Sequence, residues 1–179
     1  MFLHKLTDSN FKNVNVTYIP NPSRYSSRGI LLNDQNQIAM LYMSSNGYYK
    51  LPGGGVEKSE TNEDAFLREI KEETGFDCKI LYYLGVVEEH KNKNNFMQLS
   101  SCYVAKVIGQ PRDVTLTEAE KELGFQLTWM DYHQAVEIMN KSIQECTDYI
   151  ISFMLLRDST ILNEGWKIIS QPPETPLMF

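Results

Sequence analysis

Three glutamates crowded into the last turn of one helix constrain this chain more than any other feature. The helix is legible from its ends. Ser59 or Thr61 can cap it, Glu60, Glu63 and Asp64 supply a negative first turn, and Ala65, Phe66 and Ile70 give it an apolar stripe. Gly75 can end it, since positive φ costs glycine nothing. At about 100° per residue, Glu69 and Glu73 lie one turn apart on one face with Glu72 beside them. Like charges at these spacings cost roughly 0.2–0.5 kcal/mol each, and carboxylates at the negative end of the dipole about 0.3–1 kcal/mol apiece. Arg68 and Lys71 offset only part of that. A cluster tolerated against its own electrostatics points to a bound cation. Oxygen ligands without His or Cys favour a hard ion, Mg²⁺ or Mn²⁺, over zinc. From spacing alone a solvated acidic face remains the alternative. On the repulsion argument, Glu73→Gln is expected to raise the melting temperature of the metal-free protein.

The rest of the chain narrows the setting. Its 179 residues are one domain's worth, read as a single domain with residues 1–24 as a polar extension and 170–179, with Pro172, Pro173 and Pro176, as an irregular tail. The formal charge of −6, with no Lys/Arg-rich face, argues against a nucleic-acid partner, and Lys91-Asn92-Lys93 reads as a solvated hairpin tip. An acidic protein that handles a polyanion needs a cation between the two. Cys78, Cys102 and Cys146 are odd in number and far apart, and His4, His90 and His133 are equally scattered, so zinc spacing is absent and reduced thiols are expected. Met1 to Leu6 is too short for a signal peptide, and the apolar run Ile150 to Leu156 stops at Arg157, short of a bilayer span. The expected location is the cytoplasm, with no membrane partner. A homodimer is compatible with the chain.

Ser27 to Leu32 and Ile38 to Met43 read as a strand hairpin around the Asn33–Gln37 turn, and Tyr48 to Leu51 as a short strand entering Pro52-Gly53-Gly54-Gly55, where the backbone must turn tightly. Lys79 to Glu89 and Phe96 to Ile108 read as a second hairpin, then a polar loop from Pro111 to Leu123, a strand Phe125 to Met130, and helices Tyr132 to Asn140 (capped by Asp131) and Cys146 to Leu162. Strands interleaved with helices predict an α/β fold with a mixed sheet packed between helices.

The helix and its approach fit one pattern closely. Gly54, Glu60, Arg68, Glu69, Ile70, Glu72, Glu73, Gly75 and Phe76 fill, in order, every defined position of the Nudix box, G-x₅-E-x₇-R-E-U-x-E-E-x-G-U with U bulky and apolar. The chain therefore resembles the Nudix (MutT-like) hydrolases. That resemblance implies an α/β/α sandwich whose box forms a loop–helix–loop beside the sheet. It implies that Glu69, Glu72 and Glu73 hold Mg²⁺, or Mn²⁺. Arg68 would pair with a box glutamate, Glu60, and Gly53, Gly54 and Gly55 would let the backbone pass close to metal and phosphates. It also implies a hydrolase that splits a phosphoanhydride in a small nucleotide-like diphosphate substrate.

Glu69 and Glu72 are both candidate bases within the box. Outside it, Thr117 to Glu122 is the richest acidic segment and offers Glu118, Glu120 or Glu122 as an added ligand or base. The ADP-ribose type of this family often carries a proline, and the diadenosine-polyphosphate type a tyrosine, some way past the box; His90 to Asn94 holds neither. A nucleoside di- or triphosphate reading remains, with Tyr48, Tyr49, Tyr82 and Tyr83 as candidate stacking faces. The competing readings are an RNA 5′-end pyrophosphohydrolase and a non-catalytic nucleotide-sensing module. The second usually loses box carboxylates, which this chain keeps.

Overall fold

Ile30 and Leu31 are adjacent in sequence and both fully buried, but in different cores. That is the signature of a strand covered on both faces, where alternate side chains enter opposite layers. The computed structural model of the chain describes residues 2–12 and 14–170. In chain order its elements are β1 (Phe2–Thr7), β2 (Arg24–Leu32), β3 (Ile38–Met43), β4 (Tyr48–Lys50), β5 (Gly53–Gly55), α1 (Asn62–Thr74), β6 (Asp77–Lys91), β7 (Phe96–Ile108), α2 (Glu118–Leu123), β8 (Phe125–Met130), α3 (Tyr132–Glu145) and α4 (Tyr149–Ile169). The sheet runs β1-β6-β7-β2-β3-β4, with β5 added beside β2 and β8 beside β3. β1 pairs parallel with β6 and β2 parallel with β7, while the other pairs are antiparallel, so the sheet is mixed as expected.

One face packs on α1 through Leu31, Ala39, Tyr103 and Ala105 against Phe66 and Ile70. The other packs on α3 and α4, where Ile30, Met40, Leu84 and Val104 meet Ala135, Met139, Phe153 and Ile161. This is the α/β/α sandwich that the sequence pattern and the resemblance both imply. Among the described residues, no helix is long and apolar enough to cross a membrane.

Three parts of the chain differ from the sequence reading, and a fourth lies outside what the structure describes. The N-terminal extension is not wholly irregular, because Phe2–Thr7 forms β1 along β6; only Leu6 and Thr7 of it are buried, which leaves little periodic signal. The acidic loop contains the helix α2, six residues with a complete capping box and no buried side chain. The last helix starts later and runs further than Cys146–Leu162, because Asp148 caps it through the amides of Ile150 and Ile151. The proline-bearing tail from residue 171 lies outside the described residues.

Candidate active site

Helix α1 is fixed at both ends by the residues that mark it in the sequence. Thr61 caps it in a reciprocal box with Asp64, and Gly75 closes it at φ 78°. Its inward face carries Phe66 and Ile70, so Glu69 and Glu73 are drawn in beside them and both become buried. Opposite lies β5, which pairs with β2 at Ser26↔Gly55, Ser27↔Gly54 and Arg28↔Gly53. A side chain at residue 54 would occupy the space of the Glu69 carboxylate, so glycine here lets backbone and acid share one spot.

Arg68 organises the group. Its Nη2 donates to Glu60 Oε1 at 2.7 Å and to the Gly55 carbonyl at 2.9 Å, and its Nε to Glu60 Oε2 at 3.1 Å. Nη1 donates to Glu69 Oε1 at 2.9 Å and to Glu72 Oε2 at 3.0 Å. One planar fork thereby ties the loop to three carboxylates, a span that a point charge cannot cover. The bonds from Arg68 hold the Glu60 carboxyl below its ordinary range.

Glu73 has no contact with Arg68. It is buried against Lys50, whose Nζ lies 2.6 Å from its Oε1, while its Oε2 accepts from the Gly53 amide at 2.6 Å. Lys50 is itself buried, donates to the Gly53 carbonyl at 3.3 Å and lies 4.5 Å from the Phe125 ring centroid. Burial nevertheless pushes the Glu73 carboxyl up, against the pull of Lys50 and the Gly53 amide. Burial also raises Glu69, with Arg68 opposing and Glu120 adding to the rise. Sequence reasoning missed Lys50. A lysine on a short strand reads as solvent-facing, and no local spacing marks its partner 23 residues away.

The third carboxylate of the cluster comes from α2. Single oxygens of Glu69, Glu73 and Glu120 all lie within 4.8 Å of one another. Glu120 also closes the α2 capping box, accepting from the Thr117 amide at 2.7 Å. The neighbouring candidates point elsewhere. Glu118 is exposed and paired with Lys121 at 2.7 Å, and Glu122 is exposed. Glu72 is half-buried on Arg68 rather than in the three-oxygen group. A hard divalent cation fits this donor set of three carboxylates and no nitrogen or sulfur.

The α4 face of the sheet carries a second polar group that the sequence did not announce. Arg28, Glu89, Lys91, Gln98, Ser100, Arg157 and Asp158 are all buried there. Arg157 donates from Nε to Asp158 Oδ1 at 2.8 Å and from Nη1 to Glu89 Oε2 at 3.3 Å. Asp158 Oδ2 accepts from the Leu51 amide at 2.9 Å, so the network reaches the strand that precedes the glycines. Lys91 Nζ lies 3.0 Å from Glu89 Oε1, an ion contact without an aligned hydrogen bond. Burial opposes charge on Glu89, but Arg157, Lys91 and Arg28 prevail and hold it below the usual carboxylate range. Burial and Arg157 together pull Arg28 down to about 10.

The tyrosines take other places. Tyr48 and Tyr49 pack on the α4-side core, and the Tyr49 ring lies tilted against Tyr42 with centroids 4.8 Å apart. The ring of Tyr83 lies 5.2 Å from Tyr103, and Tyr82 is exposed on the same strand.

Comparison with known proteins places this geometry. The family model described as NUDIX domain matches residues 22–150. An ADP-ribose pyrophosphatase of Methanocaldococcus jannaschii is 39% identical over 84 residues, 45% of this chain and 49% of that protein, so the match spans about half the length of this relative. An RNA pyrophosphohydrolase of Orientia tsutsugamushi is 27% identical over 128 residues, 64% of this chain and 79% of that protein. The crystal structure of a MutT NUDIX hydrolase from Burkholderia pseudomallei superposes with a TM-score of 0.51 at 26% identity, covering 63% of this chain and 85% of that one.

Proposed function

Since the chain belongs to the NUDIX domain family, we propose that it is a divalent-cation-dependent hydrolase that cleaves a phosphoanhydride bond in a nucleoside di- or triphosphate or a related nucleoside diphosphate derivative. The observation that carries this reading is the convergence of Glu69, Glu73 and Glu120 from two segments of the chain onto one point beside the glycine strand. Mg²⁺, or Mn²⁺, fits there on the chemistry of its donors, with Glu72 next to it on Arg68. Bound at such a site, the ion supplies neutralisation of the phosphate oxygens and a more acidic water.

The protein's own groups then have distinct tasks. Arg68 holds Glu60, Glu69 and Glu72 in one geometry and anchors the loop through the Gly55 carbonyl. Gly54 keeps a side chain out of the space of the Glu69 carboxylate, Gly53 one off Arg28 and Gly55 one off Arg24, so a phosphate can approach the backbone of this strand. Lys50 neutralises Glu73 and fixes its position. Glu120, whose Oε2 is engaged by the Thr117 amide, has its other oxygen available to accept a proton from the attacking water or to bind the ion. Its companions Glu118 and Glu122 have no part in the reaction on this reading.

The resemblance to the Orientia RNA pyrophosphohydrolase keeps triphosphorylated RNA as a second substrate class, against the acidic charge of the chain. Turnover of nucleotides, sugar nucleotides, dinucleotides and 5′-triphosphorylated RNA with Mg²⁺ tests both. Hydrolysis of the small nucleotides is expected to exceed that of RNA. No hydrolysis of any of them would leave a nucleotide-sensing module and end the enzyme reading.

A further inference from the structure

The buried charges on the α4 face are costly, since each desolvated ion forfeits several kcal/mol of hydration that its partners must replace. What they support is a pocket. A cavity of about 230 Å³ opens on this face, lined by Arg24, Lys91, Asn94, Phe96, Gln98 and Ile150. It adjoins the carboxylate site through β2 and β5: Arg24 Nη2 would lie 3.0 Å from a side chain built on Gly55, the residue whose carbonyl Arg68 holds. Whole-ligand pockets run to about 300–1,000 Å³, so this one suits a single planar ring system.

Its polar group is oriented from behind. Gln98 is 3% exposed, and its Nε2 donates to Glu89 Oε2 at 2.8 Å and to Ser100 Oγ at 3.2 Å. Ser100 is in turn bonded to Ser26 at 2.8 Å, and Glu89 Oε2 is shared with Arg157. A carboxylate accepts and cannot donate, so it fixes the amide with nitrogen inward and leaves the side-chain oxygen as the accepting end. Lys91 is occupied by Glu89 and does not compete as an anion site. Phe96 and Ile150 supply apolar walls, and the exposed Arg24 stands at the mouth on the carboxylate side.

We propose that this pocket recognises the nucleobase of the substrate, taking an N–H edge of the ring on the Gln98 side-chain oxygen, with the ring packed against Phe96 and the base-side phosphate reaching Arg24. The assignment rests on the nucleotide-hydrolase reading and adds to it the residues that select the base. A buried acceptor left without a donor is penalised, so base-free or N-methylated ligands should bind poorly.

The test is equilibrium binding of the full chain to adenosine, guanosine, cytidine and uridine 5′-monophosphates and to ribose 5-phosphate. At least one monophosphate should bind about tenfold or more tighter than ribose 5-phosphate, and both Gln98→Leu and Phe96→Ala should remove most of that margin. Should either variant fail to fold, the wild-type protein still decides the matter. The Ile150 methyl resonance should shift with the favoured monophosphate and stay in place with ribose 5-phosphate. Equal binding of all five ligands, or an Ile150 methyl indifferent to the base, overturns the assignment. Parallel turnover of the nucleoside triphosphates separates the two readings. Base-selective binding without turnover removes the hydrolase and keeps the pocket, while turnover without base selectivity removes the pocket alone.

Discussion

Two charge clusters, one partly and one wholly buried, flank β5 and solve the same electrostatic problem in opposite ways. Toward α1, the carboxylates Glu60, Glu69, Glu72, Glu73 and Glu120 have, among the described residues, the cations Arg68 and Lys50 beside them. Toward α4, the cations Arg28, Lys91 and Arg157 face Glu89 and Asp158. The first cluster has an excess that the chain does not cancel, and its two buried acids are pushed toward protonation. The second is nearly balanced from within, and its central acid stays ionised. An uncancelled excess needs a charge from outside, whereas a balanced network can serve as a rigid support. Substitutions in the two clusters should therefore differ in kind.

The largest effect is expected from Glu73→Gln, which should lower kcat by about a hundredfold or more, a loss typical of removing one electrostatic group from an active site. The repulsion argument from the helix alone expects this variant to melt higher. The raised Glu73 carboxyl points the same way: burial outweighs the pull of Lys50, so the metal-free fold favours a neutral side chain at this position. A metal-free melting temperature above wild type checks this; one below it would show that loss of the Lys50 partner is the larger effect.

Next comes Arg68→Lys. A lysine keeps the charge but loses the fork that spans Glu60, Glu69 and Glu72, so kcat should fall about 10–100-fold with KM changed less. Near-normal steady-state kinetics would reduce Arg68 to charge compensation.

A smaller loss, about tenfold in kcat with KM little altered, is expected for Glu120→Gln, as for a group acting mainly in the transition state. Glu118→Gln and Glu122→Gln should match wild type. Partial recovery of Glu120→Gln in excess Mg²⁺ would mark it as a ligand; a weakened acid limb of the pH–rate profile would mark it as the base. Equal activity in all three variants would confine the chemistry to the box.

The smallest effect is a difference in pH slope. Glu69 and Glu73 have raised folded-state values, so their contribution to metal-free stability is present below about 4.5 and fades as pH rises through those higher values. Glu89 is depressed, so its contribution is present above about 4.5 and is lost as pH falls through its lower value. Melting of chelator-treated protein should thus decline from mildly acidic to neutral pH, and Mg²⁺ should offset that decline. Glu89→Gln should flatten only the acid side. A metal-free protein that gains stability steadily toward neutral pH would contradict this division.

The sequence made the first cluster legible and hid the second for one physical reason. Helix periodicity and dipole rules operate within a few residues, so the crowding of Glu69, Glu72 and Glu73 and the caps Thr61 and Gly75 can be read locally. β3, β7 and β8 were readable because their runs end at turns. Partners drawn from distant segments leave no such mark. Lys50 with Glu73, and Glu89 with Arg157, look like ordinary surface charges until the sheet brings them together. Glu120 was one of three equivalent acids in a polar stretch, and only the orientation of α2 separates it from Glu118 and Glu122.

That short helix has a kinetic consequence. Because α2 buries no side chain, its local opening need not break the core; it is restrained by Thr117, by Gly124 at its end and by a few backbone bonds to Ser44 and Ser45. Segments of this kind sample open states far more often than the fold unfolds as a whole. The residence time of the third carboxylate is thus a property of six residues. Amide exchange in Lys121–Leu123 should run orders of magnitude faster than in α1 and should slow when the site is filled.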